Sequence, residues 1–193
     1  MKKIFSTITA LAVTIISVAQ TTYTLDKNHS RLGFSATHFG ISQVEGVFKT
    51  FDVSMKASKA DFSDAAIEMI ADVKSINTDV DMRDDDLRSA NWFDVEKYPK
   101  ITFRNTSFKK ISATKYKLEG FITIHGITKP LTLDVVYNGK VMNPMSKQYS
   151  IGFTITGKLN RNDFGVGTEA FAAAVSNEIQ LRANVEFIIN NVM

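Results

Sequence analysis

The stretch VSNEIQLRANVEFII, residues 175–189, decides how this chain folds. Its odd-numbered positions are apolar except for Asn177, and the positions between them are polar or charged except for Ile188. Because successive side chains of a β-strand point to opposite faces, a period of two predicts a long strand with one apolar face.

The same period of two recurs along the chain and predicts about eight strands. The other stretches that show it are residues 31–38, 51–57, 67–74, 101–103, 116–124, 131–137 and 149–155. Turn-forming residues separate them at Ala60–Asp64, at His125–Pro130 and at Asn138-Gly139, which is predicted to open a loop through Pro144. Short links of this kind favour antiparallel neighbours, since parallel strands need long crossovers.

Eight amphipathic strands can stack as a sandwich or close as a barrel. Closure removes exposed strand edges, so an all-β, eight-stranded antiparallel barrel is the favoured fold. Between the strands, Asp84 is predicted to cap a short helix that carries Leu87, and a second helical turn is expected at Glu169–Ala173. The interior of such a barrel is filled by side chains or encloses one small ligand, and period two alone leaves both open.

The chain starts with two lysines, Lys2 and Lys3, and an uncharged run that ends at Ala19. This pattern predicts a secretory signal sequence over residues 1–19, and therefore a periplasmic or secreted domain over residues 20–193. Without the two lysines the net charge falls from +3 to about +1, so nucleic acid is not an expected partner. The absence of cysteine excludes disulfides and thiolate chemistry.

Few residues are suited to catalysis or metal binding. His29, His38 and His125 are the only imidazoles, and no hydrolase or metalloprotease motif includes them. The aspartates between Asp79 and Asp86 lack the spacing of a calcium-binding loop. We therefore expect no catalytic residue, no metal and no required cofactor.

Several short motifs occur together in an order that resembles the YceI-like family of exported polyisoprenoid-binding proteins. They are HSRLGFSATH (29–38), VEGVF (44–48), DMRD (81–84), LRS (87–89), WFD (92–94), YPKITF (98–103), GFITIHGITKPLTL (120–133) and NRNDFG (160–165). Two positions depart from the family pattern. Asp86 stands where the family often has histidine, and Trp92 replaces the first residue of a phenylalanine pair.

The resemblance implies a lipocalin-like barrel that holds an isoprenoid chain, such as a quinone or a polyprenyl lipid, for transport, storage or sequestration. The residues expected to line the interior are Leu32, Phe34, Ala36, Phe48, Met69, Phe103, Phe153 and Leu181. His38, Arg83 and Asp84 are expected to meet the head group at an opening. The protein would be a monomer or homodimer that touches a membrane surface transiently.

Two other hypotheses remain. An outer-membrane barrel would turn the apolar face outward and needs aromatic girdles at both ends, whereas the aromatic residues here are spread along the strands. An enzyme acting on a lipid inside the barrel needs a converging acid and base, which the sequence does not supply.

Overall fold

The computed structural model describes residues 20–167 and 171–190. The predicted signal sequence, residues 1–19, lies outside the described residues, and so do Glu169 and Ala170 of the predicted helical turn.

Strands make up most of the described chain. They are β1 (Thr21–Leu25), β2 (Arg31–His38), β3 (Ser42–Phe48), β4 (Phe51–Ala57), β5 (Ala66–Asp72), β6 (Ile76–Asn77), β7 (Lys100–Lys110), β8 (Lys115–Ile124), β9 (Ile127–Met142), β10 (Tyr149–Asn160) and β11 (Val175–Asn190). One α-helix, α1, covers Asp81–Arg88, and short 3₁₀ turns cover Val73–Ser75 and Arg161–Phe164.

The strands close into a barrel. All pairings are antiparallel and follow the order β1-β4-β5-β7-β8-β9-β10-β11, and β1 then pairs with β11, so that Thr22 faces Asn190 and Leu25 faces Phe187. Because every strand of this ring has two neighbours, the barrel leaves no open edge along it. The predicted eight-stranded antiparallel barrel is confirmed.

Three of the eight barrel strands are each made of two short strands. The strands β1 and β2 pair one after the other with the same edge of β11, and residues 26–30 lie between β1 and β2. In the same way β3 and β4 pair with β2 and β1, and β5 and β6 pair with β4 and β3. The eleven strands therefore form eight barrel strands.

The prediction that a loop opens at Asn138-Gly139 is wrong, because β9 continues through both residues to Met142. Gly152 pairs with Gly139 and Phe153 pairs with Tyr137, which leaves Asn138 as an extra residue. This arrangement is a β-bulge, and the positive φ of Gly139, 116°, suits a residue without a Cβ atom. Residue types that often form turns therefore form a β-bulge within a longer strand at this position.

The predicted role of Asp84 as a helix cap is also wrong. The helix α1 begins at Asp81, and Val80 precedes it without a side-chain cap. Asp84 lies within the helix, is 1% exposed, and accepts hydrogen bonds from the backbone N–H and the hydroxyl of Thr78. The carboxylate therefore holds the helix to the segment that follows β6.

The two faces of the barrel wall differ in chemistry. The inward side chains form one apolar cluster that reaches from Tyr23 to Phe187. The outward side chains form ion pairs between neighbouring strands, including Lys117 with Asp134 and Lys158 with Glu178. Exposed ion pairs of this kind add little stability, but they identify the outer face as the one that contacts water.

Candidate functional site

A cavity of about 240 Å³ lies inside the barrel. Apart from Arg161 and Arg182, the described residues that line it are apolar or glycine. An engineered apolar cavity of about 150 Å³ stays free of water and binds benzene, so a larger apolar space suits an apolar guest. This cavity is the candidate site.

Eight of the residues proposed from the sequence lie around this cavity. They are Leu32, Phe34, Ala36, Phe48, Met69, Phe103, Phe153 and Leu181. They come from β2, β3, β5, β7, β10 and β11, so the closure of the barrel brings together residues that are far apart in sequence.

Inward-facing glycines make room for the larger side chains. A Cβ atom on Gly46 would overlap the ring of Phe34, and one on Gly120 would lie 2.6 Å from the ring of Phe103. Non-bonded carbon atoms do not approach each other this closely. Both positions therefore require glycine if Phe34 and Phe103 are to keep their places in the barrel.

One end of the barrel, here called the capped end, is covered by α1 and the residues after it. Leu87, Trp92 and Phe93 from this segment line the cavity, and the ring of Phe93 lies 6.1 Å from that of Phe48. Two arginines fasten the helix, since Arg83 donates to the hydroxyl and carbonyl oxygens of Thr78 and Arg88 donates to the carbonyl of Ile76.

The two residues that depart from the family pattern are in direct contact. The indole N–H of Trp92 donates to the carboxylate of Asp86 at 2.9 Å. Trp92 is 6% exposed, and a buried N–H without a partner would cost stability. A phenylalanine needs no such partner, so the carboxylate at position 86 and the indole at position 92 fit each other.

Arg161 is a cavity residue that the sequence analysis missed. Its guanidinium lies 5.5 Å from the Trp92 ring and donates to the carbonyls of Val166 and Ser176. The stacked ring of Phe171 lies 4.8 Å from Trp92. The period of two through Phe153, Ile155, Gly157 and Leu159 reaches Arg161, and extending it would have placed this residue on the inner face.

The three polar residues proposed for a head group do not line the cavity. The ring of His38 packs against Phe39 at 4.3 Å, beside the turn that follows β2. Arg83 and Asp84 are both engaged with Thr78. All three lie at the capped end, and their contact with a bound molecule stays a prediction.

The opposite end, here called the aromatic end, is filled by side chains. Phe62, from the loop between β4 and β5, packs against the rings of Tyr23, Tyr116, Tyr137 and Phe153 at centroid distances from 5.5 to 6.4 Å. Burial raises the pKa of the three tyrosines above its ordinary value, because a phenolate is poorly solvated there.

The histidines are spread over the molecule. His29 pairs with the carboxylate of Asp26, which raises the pKa of the imidazole chiefly through their hydrogen bond, and His38 lies at the other end of β2. The strand β2, which lies between them, is about 23 Å long at roughly 3.3 Å per residue. Within residues 20–167 and 171–190, no group of side chains has the composition of a metal site.

No helix in the part of the chain that the structure describes is long and apolar enough to cross a membrane.

Comparison with known proteins gives a consistent result. The model of the YceI-like domain matches residues 23–187. A UPF0312 protein of Staphylococcus aureus (strain bovine RF122 / ET3-1) is 34% identical over 174 residues, which cover 88% of this chain and 99% of that protein.

Solved structures resemble the barrel over nearly their whole length. A YCEI protein of Campylobacter jejuni is 31% identical with a TM-score of 0.70, over 88% of this chain and 98% of the other. Burkholderia cenocepacia BcnA is 24% identical with a TM-score of 0.76, over 84% and 98%. A polyisoprenoid binding domain from Saccharophagus degradans is 15% identical with a TM-score of 0.61, over 87% and 98%. The last two likenesses concern the fold alone.

Proposed function

The chain belongs to the YceI-like domain family, as its sequence motifs indicated, and we propose that it holds a long-chain isoprenoid lipid of the quinone or polyprenyl type inside its barrel. The observation that carries this proposal is the apolar cavity of about 240 Å³. Moving apolar groups out of water stabilises the complex by about 0.8 kcal/mol for each buried CH₂, before ordering costs.

The structure described as a polyisoprenoid binding domain has the same fold, which supports an isoprenoid as the guest. The predicted signal sequence supports export, so we propose transport, storage or sequestration of the lipid in the periplasm or outside the cell. The sequence hypothesis of a transient membrane contact is part of this proposal.

We propose that the head group lies at the capped end. Arg161 lines the cavity there beside Trp92, and His38, Arg83 and Asp84 surround the same end. The positive charge of a guanidinium attracts carbonyl or phosphate oxygens, which quinones and polyprenyl phosphates both present.

Native mass spectrometry of the purified protein, followed by organic extraction, tests the proposal. We expect a bound species whose mass is that of an isoprenoid lipid, and its loss after extraction. A barrel that carries no lipid and takes up none from added prenols or quinones contradicts the proposal.

A pair of variants makes the test specific for the cavity. Leu181→Trp places a larger side chain in the cavity and is expected to lower lipid occupancy at least about tenfold, because the space it fills is the guest's. Gln180→Trp makes the same change at the exposed neighbouring position and is expected to keep the lipid. Equal occupancy in both variants would place the lipid outside the barrel.

The two other hypotheses find less support. An outer-membrane barrel needs an apolar outer face and a polar lumen, whereas the described strands turn their apolar side chains inward and their ion pairs outward. An enzyme acting on the lipid would need an acid–base pair at the cavity. His29 and His38 stand at opposite ends of β2, and no histidine lines the cavity among the described residues.

A further inference from the structure

We propose that the aromatic end of the barrel is a docking surface for a lipid bilayer with anionic head groups. The surface consists of two neighbouring segments, the β7–β8 turn (residues 109–115) and the β9–β10 ribbon (residues 138–149). A backbone hydrogen bond from Tyr137 to Thr114 joins the base of the ribbon to the turn. The proposal names the surface for the transient membrane contact of the proposed function, and it does not depend on what the cavity holds.

Both segments are positively charged. These two segments contain five lysines and neither aspartate nor glutamate: Lys109, Lys110, Lys115, Lys140 and Lys147. All five are exposed, and none forms an ion pair with a carboxylate in the described structure. Several lysines of the barrel wall, such as Lys117 and Lys158, do form ion pairs, so the positive charge of this end is less compensated than that of the wall.

Apolar side chains are exposed among these lysines. Met145 is 89% exposed, Val141 is 64% exposed and Ile111 is 58% exposed. Apolar side chains between lysines are typical of segments that lie in a bilayer interface, where the apolar groups enter the acyl boundary and the ammonium groups contact phosphate.

The β9–β10 ribbon is longer than the neighbouring β7–β8 turn. The strand β8 begins at Lys115, opposite Val136, whereas β9 continues to Met142 and pairs with Tyr149 of β10. The β9–β10 ribbon therefore extends beyond the start of β8, so Met145 and Lys147 at its tip can reach a flat surface.

The nearby acidic residues do not cancel this charge. Asp61 and Asp64, in the adjacent loop between β4 and β5, offset only part of the charge of the five lysines, and Lys59 lies in the same loop. At the capped end the balance is reversed, because residues 79–88 carry five aspartates against two arginines. An anionic bilayer is therefore attracted to the aromatic end and repelled by the aspartates of the other.

Vesicle flotation tests the proposal with the purified protein. We expect it to float with vesicles of equal parts phosphatidylglycerol and phosphatidylcholine, to remain unbound with phosphatidylcholine alone, and to be released by high salt. Lys115→Glu/Lys147→Glu is expected to weaken binding about 30-fold or more, since each lysine near an anionic surface contributes about 1 kcal/mol. Met145→Ser is expected to weaken binding about threefold and to leave the salt dependence unchanged.

The control is Lys49→Glu/Lys129→Glu, which changes the net charge equally at exposed lysines away from this end. It is expected to bind within about twofold of the unchanged protein, and thermal unfolding confirms that all variants fold. The proposal is overturned if the control loses as much binding, if phosphatidylcholine vesicles bind equally, or if soluble dextran sulfate binds as tightly as the vesicles. Native mass spectrometry measures lipid in the cavity separately. The flotation result can therefore be interpreted even if the cavity holds no isoprenoid lipid.

Discussion

The two ends of the barrel are closed by different chemistry. At the aromatic end the rings around Phe62 fill the space between the strands. At the capped end α1 is fastened by hydrogen bonds of Arg83, Asp84 and Arg88, and the cavity begins beneath Leu87 and Trp92. The same eight barrel strands, three of them made of two shorter strands, form both ends.

The volume of the inward side chains explains the difference. Toward the aromatic end the strands carry Phe108, Tyr116, Tyr137 and Phe187 on the inner face. Around the cavity β2 and β11 carry Leu32, Ala36, Leu181 and Ala183, which are only partly buried because they face open space. Phe34, Phe48 and Phe103 also line the cavity, so the interior stays open where these smaller residues lie between the rings.

Replacing Phe62 is expected to have the largest effect on this contrast. Phe62→Ala removes the ring that contacts four others and should lower the free energy of unfolding by about 4 kcal/mol, through lost burial and a new cavity. Urea denaturation measures the change. Phe121→Ala, at a half-exposed position of the outer wall, should cost about 0.5 kcal/mol or less, and equal costs would contradict the role of Phe62.

Replacing Asp84 tests the polar closure of the capped end. Asp84→Ala leaves the backbone N–H of Thr78 without its acceptor and removes the negative charge beside Arg83, so we expect a loss of about 2 to 3 kcal/mol. Hydrogen exchange should show faster exchange in α1 and unchanged protection around Phe62. Asp81→Ala, at an exposed position of the same helix, is the control and should cost less than about 1 kcal/mol.

The smallest expected effect is on the pH dependence of the free energy of unfolding, to which the tyrosines of the aromatic end contribute. The pKa values of Tyr23, Tyr116 and Tyr137 are raised by burial in the folded protein, above the ordinary value of 10.0. Above about pH 10 the unfolded chain therefore binds fewer protons than the folded one, and the free energy of unfolding falls as pH rises. Below that pH this contribution to stability is fully present.

Urea unfolding between about pH 9 and pH 11 measures this slope. Tyr137→Phe should make it shallower, and the combined replacement of all three tyrosines by phenylalanine should reduce it further. The same slope in the triple variant and the unchanged protein would show that the aromatic end does not set the alkaline stability.

Much of the fold could be predicted because strand periodicity is local. The stretch 175–189 predicted a strand, and β11 covers Val175–Asn190. The errors fell where a local signal had two structural solutions. Asn138-Gly139 can form a loop or a bulge, and pairing of β9 with β10 selected the bulge. Asp84 can cap a helix or lie inside it, and its buried contact with Thr78 selected the second.

The candidate site was predictable only in part. The alternation of inward and outward side chains identified cavity residues such as Phe34 and Leu181. The same alternation continues to Arg161, but this residue was not predicted, because it lies in the 3₁₀ turn that follows β10. The hydrogen bond between Asp86 and Trp92 joins the end of α1 to the segment after it. A separation of six residues in sequence does not predict this contact, because it depends on how the chain turns after the helix.

The sequence by itself determined eight amphipathic strands and the family to which the chain belongs, because both depend on patterns of neighbouring residues. The tertiary structure decided whether the apolar face encloses a packed core or a cavity. That outcome depends on the summed volumes of side chains from strands distant in sequence, which meet only when β1 pairs with β11 and the barrel closes.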